Sequence, residues 1–122
     1  MDLSTVNDSS HSPTVDVSHP SAEATLVVLG GEHDLASAPI LRRTFETALT
    51  ESDHLIIDLS GAEFIDSSTL AALYGARKRA DETGRRFNLV LGTAPIVERA
   101  LELSGILPTL NVVKTVDQAL ES

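Results

Sequence analysis

The ten residues Phe64 to Leu73, "FIDSSTLAAL", join two different hydrophobic patterns. The segment before them, "HLIIDLS" (residues 54–60), is a short continuous apolar run, which is typical of a central strand covered on both faces. The segment after them, "LAALYGARKRADETG" (residues 70–84), has apolar residues at helical spacing and ends on a glycine, a residue type favoured just after a helix. We therefore predict that a strand turns into a helix here.

Four consecutive residues at this corner are able to cap a helix, namely Asp66, Ser67, Ser68 and Thr69. A single capping side chain is enough to begin a helix, so four of them invite a second explanation. The residues alone leave two interpretations open. Either the segment is an ordinary helix cap, or an exposed serine here is modified by another protein, since a helix N-terminus accepts a phosphate group.

The rest of the chain alternates between strand-like and helix-like patterns. Further strands are predicted at "TVDVS", "ATLVVLGG", "RFNLVLG" and "TLNVVKT", and further helices within "EHDLASAPILRRTFETALTESD", "APIVERALELSG" and "VDQALE". We expect "HPSAE" to close a hairpin, the second strand to end at Gly30 and Gly31, and Ser37 to be the N-cap of the first helix. The order β-β-α-β-α-β-α-β-α predicts an α/β fold, with a mixed, mostly parallel β-sheet and α-helices packed on it.

Composition narrows the class of protein. The chain has 122 residues, no cysteine and a formal net charge of −9, which opposes binding to nucleic acid or to an anionic membrane. No apolar run approaches the roughly 18 residues of a membrane span, and no signal-peptide pattern is present, so we expect a cytoplasmic protein. Residues 1–13, rich in Ser and Asp, are predicted to be a disordered tail, and residues 14–122 a single domain.

A cluster of basic residues interrupts this acidic composition at Arg77, Lys78, Arg79, Arg85 and Arg86. The cluster is either a docking strip for an acidic partner or a solvated helix C-terminus, where cations also suit the helix dipole.

Polar segments follow two of the predicted strands, "GGEHD" (residues 30–34) and "EFIDSST" (residues 63–69). Sites in open α/β sheets gather at the carboxyl ends of strands, so Asp34 and Asp66 face one edge of the molecule if these two strands are neighbours. Ser67 lacks a nucleophile-elbow motif, and His33, the one histidine at this edge, is expected to be merely solvated in a turn. No metal-ligand spacing or phosphate-binding glycine motif is present, so we predict that the chain is not an enzyme and that it binds no cofactor.

Small residues follow the corner, with Thr69, Ala71, Ala72 and Gly75 on the predicted helix. They either let a partner backbone approach closely or pack the helix onto its own sheet. A phosphate on the serine would add roughly −1.5 to −2 charges beside Asp66. Because a helix N-terminus tolerates negative charge, we expect such a modification to switch binding rather than to unfold the domain.

Three segments together resemble the STAS domain family (sulfate transporter and anti-sigma factor antagonist) in its small free-standing bacterial form. They are "GEHDLASAPILRR" (residues 31–43), "LIIDLSGAEFIDSSTLAAL" (residues 55–73) and "VERALELSGI" (residues 97–106), in the family's order and spacing. The resemblance covers roughly residue 14 to the C-terminus. It implies that the unphosphorylated chain binds an anti-sigma factor that is also a serine kinase, which frees a sigma factor. It further implies that a metal-dependent serine phosphatase reverses the phosphorylation.

By position, the resemblance implies phosphorylation at Ser67, with Ser68 as the runner-up and Thr69 as a minor candidate. The predicted partner-binding residues are those around this serine: Asp34, Asp66, Ser67, Ser68, Thr69 and Ala72. The chain departs from the family pattern D-S-[ST]-G-L-G, because Thr69 and Ala71 stand at the two glycine positions. This departure leaves open whether the kinase contact is altered and whether the serine is still used. Two other functions stay open as well: a scaffold subunit of a stress-signalling assembly without a phosphate cycle, and a small-ligand or nucleotide sensor.

Overall fold

A computed structural model describes residues 12–121. The strands in this range are β1 (Thr14–Ser21), β2 (Ala24–His33), β3 (His54–Ile65), β4 (Arg86–Val90) and β5 (Val112–Val113). The α-helices are α1 (Ala38–Glu51), α2 (Ser67–Glu82), α3 (Pro95–Ser104) and α4 (Val116–Glu121), with a 3-10 turn at Leu107–Thr109 before β5. Residues 1–11 and 122 lie outside the described range, and so does most of the predicted tail of residues 1–13.

The strands form one sheet in the order β1-β2-β3-β4-β5. β1 pairs with β2 antiparallel, whereas β2, β3, β4 and β5 pair parallel to one another. The predicted mixed, mostly parallel sheet with helices packed on it is confirmed. The pairing of β2 with β3 runs from Ala24 opposite His54 to His33 opposite Ile65, so the two strands end side by side.

The core lies on both faces of the sheet. Alternate residues of β3 point to opposite faces, and Leu55 and Ile57 belong to the large cluster to which α1, α2 and α3 contribute. Ile56, between them, belongs to a small cluster on the other face, where Ala119 of α4 packs. Because the large cluster is built mainly from aliphatic side chains, the few aromatic residues of the chain are sufficient for it.

Several predicted strand ends were wrong. β3 continues past Ser60 to Ile65, and only Val112–Val113 of the predicted "TLNVVKT" form a strand. β2 does not stop at Gly30 and Gly31 but continues to His33, because the register against β3 shifts twice in this region. Gly31 has a φ of +74°, which only glycine adopts readily, so the glycines bend the strand instead of ending it. β1 continues through Pro20 to Ser21, which leaves only residues 22–23 for the turn. The longer β2 brings its end level with the end of β3.

Candidate functional site

The two polar corners lie next to each other at the carboxyl edge of the sheet. The backbone N–H of Asp66 donates to the carbonyl oxygen of His33 at 3.2 Å, which joins the residue after β3 to the end of β2. Asp34 is exposed, and its Oδ1 accepts the N–H of Ala36 at 3.0 Å. The prediction that Asp34 and Asp66 face one edge required β2 and β3 to be neighbours. These two strands are paired, and both acidic residues lie at this edge.

Asp66 is the N-cap of α2. Its Oδ1 accepts the backbone N–H of Thr69 at 3.0 Å, the hydroxyl of Ser68 at 2.6 Å and the hydroxyl of Thr69 at 3.3 Å. A single carboxylate oxygen therefore receives bonds from two of the three neighbouring hydroxyls. Three of the four polar residues at the corner form one capping network.

These bonds also control the charge of Asp66. Its partial burial raises the pKa of the carboxyl group, but the hydrogen bonds from Ser68 and Thr69 lower the pKa more, so that it lies below its ordinary value. Asp66 is therefore ionised at neutral pH. A fixed negative charge stands beside Ser67, close to the positive end of the α2 dipole.

Ser67 is the fourth polar residue and takes no part in the network. It is the first residue of α2, its side chain is exposed, and its hydroxyl forms no hydrogen bond within residues 12–121. The runner-up, Ser68, is half-buried and donates to Asp66. The structure thus separates two adjacent serines that the sequence could rank only by position.

Two residues predicted for the partner surface are not at the surface. Thr69 is 0% exposed and Ala72 is 3% exposed. Thr69, which stands at a glycine position of the family pattern, donates its hydroxyl to Asp66, so its side chain adds nothing to the exposed surface. Ala71 stands at the other glycine position of the family pattern. It is exposed and adds only a methyl group to the surface.

The prediction that His33 is solvated was wrong. The ring is 0% exposed, its Nε2 lies 2.9 Å from the carbonyl oxygen of Gly30, and its Nδ1 lies 3.1 Å from the hydroxyl of Ser37. Burial lowers the pKa of His33, which keeps the ring neutral. Ser37 is the N-cap residue of α1, as predicted, but its hydroxyl makes no capping bond and lies 3.1 Å from Nδ1 of His33 and 3.2 Å from the carbonyl oxygen of Asp34. The ring of His33 therefore links the backbone of β2 to the start of α1, with Ser37 close to the loop between them.

Two exposed apolar residues, Leu35 and Phe64, lie next to the acidic corner in the sequence, and neither was among the predicted contact residues. Leu35 follows Asp34 in the loop after β2 and is 73% exposed, and Phe64, next to the end of β3, is 41% exposed. The sequence feature that could have indicated Leu35 is its position directly after Asp34, since a bulky apolar residue is unusual in a polar loop. Exposed apolar side chains inside a polar rim are typical of protein contact surfaces.

The basic cluster is largely engaged within the chain. Arg77 pairs with Asp81, Arg79 lies 4.0 Å from Glu82, and Arg85 donates to Asp53 at 2.8 Å. For Arg77 and Arg85 the geometry favours pairing within the chain over a dedicated docking strip, whereas the exposed 4.0 Å pair of Arg79 is weak.

Nothing in residues 12–121 suggests a bound metal, since no three side chains of His, Asp or Glu come together in a way that could hold one. Across the same residues, every helix is too short or too polar to cross a membrane.

Comparison with known proteins gives a consistent result. A family model described as "STAS domain" matches residues 15–119. An anti-sigma F factor antagonist of Paenibacillus polymyxa is 29% identical over 83 residues, which cover 66% of this chain and 70% of that protein.

Solved structures share the fold. The crystal structure of an anti-sigma factor antagonist from Mycobacterium paratuberculosis superposes with a TM-score of 0.80 and 28% identity, and covers 91% of this chain and 93% of that one. The Bacillus cell fate determinant SpoIIAA in its phosphorylated form has a TM-score of 0.68 and 20% identity, covering 88% of this chain and 97% of that one. The second likeness is one of fold alone.

Proposed function

Because this chain belongs to the STAS domain family, we propose that it is an anti-sigma factor antagonist controlled by phosphorylation at Ser67. The unphosphorylated form binds an anti-sigma factor that is a serine kinase, and this releases a sigma factor. Phosphorylation by that kinase prevents the binding, and a serine phosphatase restores it. The relatives from Paenibacillus and Mycobacterium, which are described as anti-sigma factor antagonists, support the general role.

The observation that carries the proposal is the free hydroxyl of Ser67. Its neighbours Ser68 and Thr69 are bonded to Asp66, whereas Ser67 is exposed and without a hydrogen bond in the described part of the chain. A kinase can reach this hydroxyl without opening the cap. Since Ser67 is exposed and its hydroxyl makes no hydrogen bond to the residues that the structure describes, we expect its modification to leave the domain intact.

Charge explains how a phosphate on Ser67 would block a partner. The group would add roughly −1.5 to −2 charges next to the ionised Asp66. A partner docked here would have to remove water from a strongly hydrated dianion, and this desolvation is costly unless new cationic contacts replace the water. The helix dipole offsets the charge within the folded chain, so the unfavourable effect falls on the complex.

The proposed contact surface combines charge with apolar anchors. Asp34, Asp66, Ser67 and Ser68 supply the polar part. To these we add the exposed Leu35 and Phe64, and we leave out the buried Thr69 and Ala72. A partner that fits this surface presents apolar side chains surrounded by basic ones.

In this role the chain is a substrate of the kinase and not an enzyme itself. ATP and its magnesium ion belong to the kinase, which we expect to be of the histidine-kinase-like ATPase class. The work would take place in the cytoplasm, where sigma factors and RNA polymerase act.

The first test is a mass measurement. A candidate kinase, chosen from the genes next to the gene of this protein, is incubated with the protein and ATP, and the intact mass of the protein is recorded. We expect one added phosphate on the wild type and on Ser68→Ala, and none on Ser67→Ala. If a kinase that binds the chain leaves the wild type unmodified, the scaffold subunit without a phosphate cycle replaces this proposal.

A further inference from the structure

A groove runs along the helical layer between α1 and α2, with a volume of about 250 Å³. Its floor is made by Phe45 and Leu49 of α1 and by Ala72 and Ala76 of α2. All four side chains are at least 94% buried, so the floor is apolar and shaped by the core itself. We call this space the α1–α2 groove.

Glycine keeps the groove open. A Cβ atom added at Gly75 would meet no heavy atom within 4 Å, so the space above this residue is empty. Glycine inside a helix costs about 1 kcal/mol relative to alanine, and no positive φ is recorded for Gly75 to require a glycine there. The fold gains nothing from the missing side chain, whereas a bound partner would gain access to the floor.

The groove is continuous with the Ser67 corner. Ser67, Ala71 and Gly75 follow each other at four-residue spacing and therefore lie along one side of α2. Eight residues of helix correspond to about 12 Å, so a partner helix of a few turns would reach from the groove to Ser67. The volume is below the roughly 300–1,000 Å³ of small-molecule sites, which favours a few protein side chains as the occupant.

The rim of the groove differs in charge from the corner. Arg42 and Arg79 lie on the rim with Glu46, so this part of an acidic chain has a small excess of positive charge. The pairing of Arg79 with Glu82 is exposed and 4.0 Å long, and such a pair is weak enough to exchange for another carboxylate. The complementary segment is an amphipathic helix with an apolar face bordered by acidic side chains.

We infer that the α1–α2 groove receives an amphipathic helix of the anti-sigma factor kinase, with apolar side chains on the floor and carboxylates at Arg42 and Arg79. This inference rests on the proposed function, because it assigns a second contact to the same partner. It places part of the binding free energy in a region that the phosphate does not touch. The kinase could therefore approach the chain through the groove while Ser67 enters its active site.

The test is the affinity of the kinase that phosphorylates Ser67, measured by calorimetry without ATP. Gly75→Leu should fill the groove and weaken binding at least about tenfold. Tyr74→Leu places the same side chain at an exposed position of α2 outside the groove lining and changes no charge, and we expect a change of no more than about twofold. Leucine suits a helix better than glycine, so the thermal midpoint of Gly75→Leu should equal or exceed that of the wild type.

A second pair of variants tests the charges on the rim. Arg42→Glu combined with Arg79→Glu should weaken binding, and Glu46→Lys should strengthen it, because the inferred partner is acidic at this position. The two effects have opposite signs, so general damage to the fold cannot produce both.

The outcomes separate the groove from the proposed function. If Ser67→Asp weakens binding while Gly75→Leu and the rim variants do not, the groove inference is wrong and the function stands. If the wild type forms a dimer that Gly75→Leu dissociates, a second copy fills the groove and the inference is likewise wrong. If no kinase binds the wild type, the proposed function fails and takes the groove inference with it.

Discussion

The two ends of the parallel strands use polar side chains in different ways. Towards the amino ends of β3 and β4, His54 and Asn88 are buried and bonded to each other, with Nε2 of His54 2.7 Å from Oδ1 of Asn88. At the carboxyl edge, Asp66 caps α2 while the hydroxyl of Ser67 beside it stays exposed. The comparison separates polar groups that hold the fold from one that the fold leaves free.

The hydrogen bonds of this buried pair continue to the exposed Asn111, which precedes β5. Nδ2 of Asn88 donates to the carbonyl oxygen of Asn111 at 3.1 Å, and Nδ2 of Asn111 donates to the carbonyl oxygen of Phe87 at 3.2 Å. Asn88 is the hydrogen-bond partner of the buried ring of His54, and it is a second donor to the carbonyl oxygen of Asn111, which also accepts the backbone N–H of Leu89 at 3.3 Å. A polar residue with such bonds is explained by structure, whereas Ser67 needs another explanation.

The largest expected effect on stability is at Asn88. Asn88→Leu keeps the bulk but leaves His54 and the carbonyl oxygen of Asn111 without this partner, so we expect a loss of about 2–3 kcal/mol in the free energy of unfolding. Urea unfolding measures it, with Ser67→Ala as the matched control. A loss below about 0.5 kcal/mol would show that the network does not stabilise the fold, and the contrast between the two regions would disappear.

A smaller loss of stability is expected at the cap. Asp66→Ala removes the acceptor for Thr69 and Ser68, and the loss of an N-cap of this kind is about 1–2 kcal/mol. Asp66→Asn, which can still cap, should recover most of it. The same urea titrations provide the values, and equal stability of Asp66→Ala and the wild type would contradict the capping network.

The pH dependence of stability sharpens the comparison, because each region contains one buried histidine. Burial lowers the pKa of both His33 and His54 below the ordinary 6.5, so the unfolded chain binds protons at a higher pH than the folded chain. Stability is then fully present above that value and falls as the pH falls below it.

Unfolding measured between about pH 8 and pH 5 should show this decrease, and His33→Gln with His54→Gln should show less of it. A wild type that becomes more stable on acidification in this range would contradict the lowered pKa of the two rings.

The smallest effect on stability is expected at Ser67 itself. Ser67→Ala removes an exposed hydroxyl that the fold does not use, so the free energy of unfolding should stay within about 0.5 kcal/mol of the wild type. Thermal unfolding by circular dichroism is sufficient for this. A destabilisation as large as that of Asp66→Ala would place Ser67 inside the cap and remove the distinction between the two.

The sequence predicts those features of the fold that depend on neighbouring residues in the chain. The strand-to-helix corner before Leu70 and the helix end before Gly84 follow from periodicity and capping chemistry, and both are confirmed. The end of β2 depends on its register against β3, which hydrophobic periodicity does not contain, so the prediction that Gly30 and Gly31 end the strand was wrong.

Side-chain burial at the site was harder to predict than the elements. His33 is buried because its ring bonds to Gly30 and lies against Ser37, and these contacts exist only once β2 runs past its glycines into the α1 turn. Thr69 turns inward because Asp66 accepts its hydroxyl. Leu35 is exposed because it lies in the loop between β2 and α1. Each depends on three-dimensional neighbours that are not apparent from the local sequence pattern.

The most direct measurement is made on a single sample of the protein phosphorylated at Ser67. Its thermal midpoint and its affinity for the anti-sigma factor kinase are compared with those of the unmodified protein. We expect the midpoint to stay within a few degrees, corresponding to less than about 0.5 kcal/mol, while the affinity falls at least about tenfold. Unchanged affinity, or a loss of affinity that comes with unfolding, would contradict the claim that a phosphate here controls binding and leaves the fold intact.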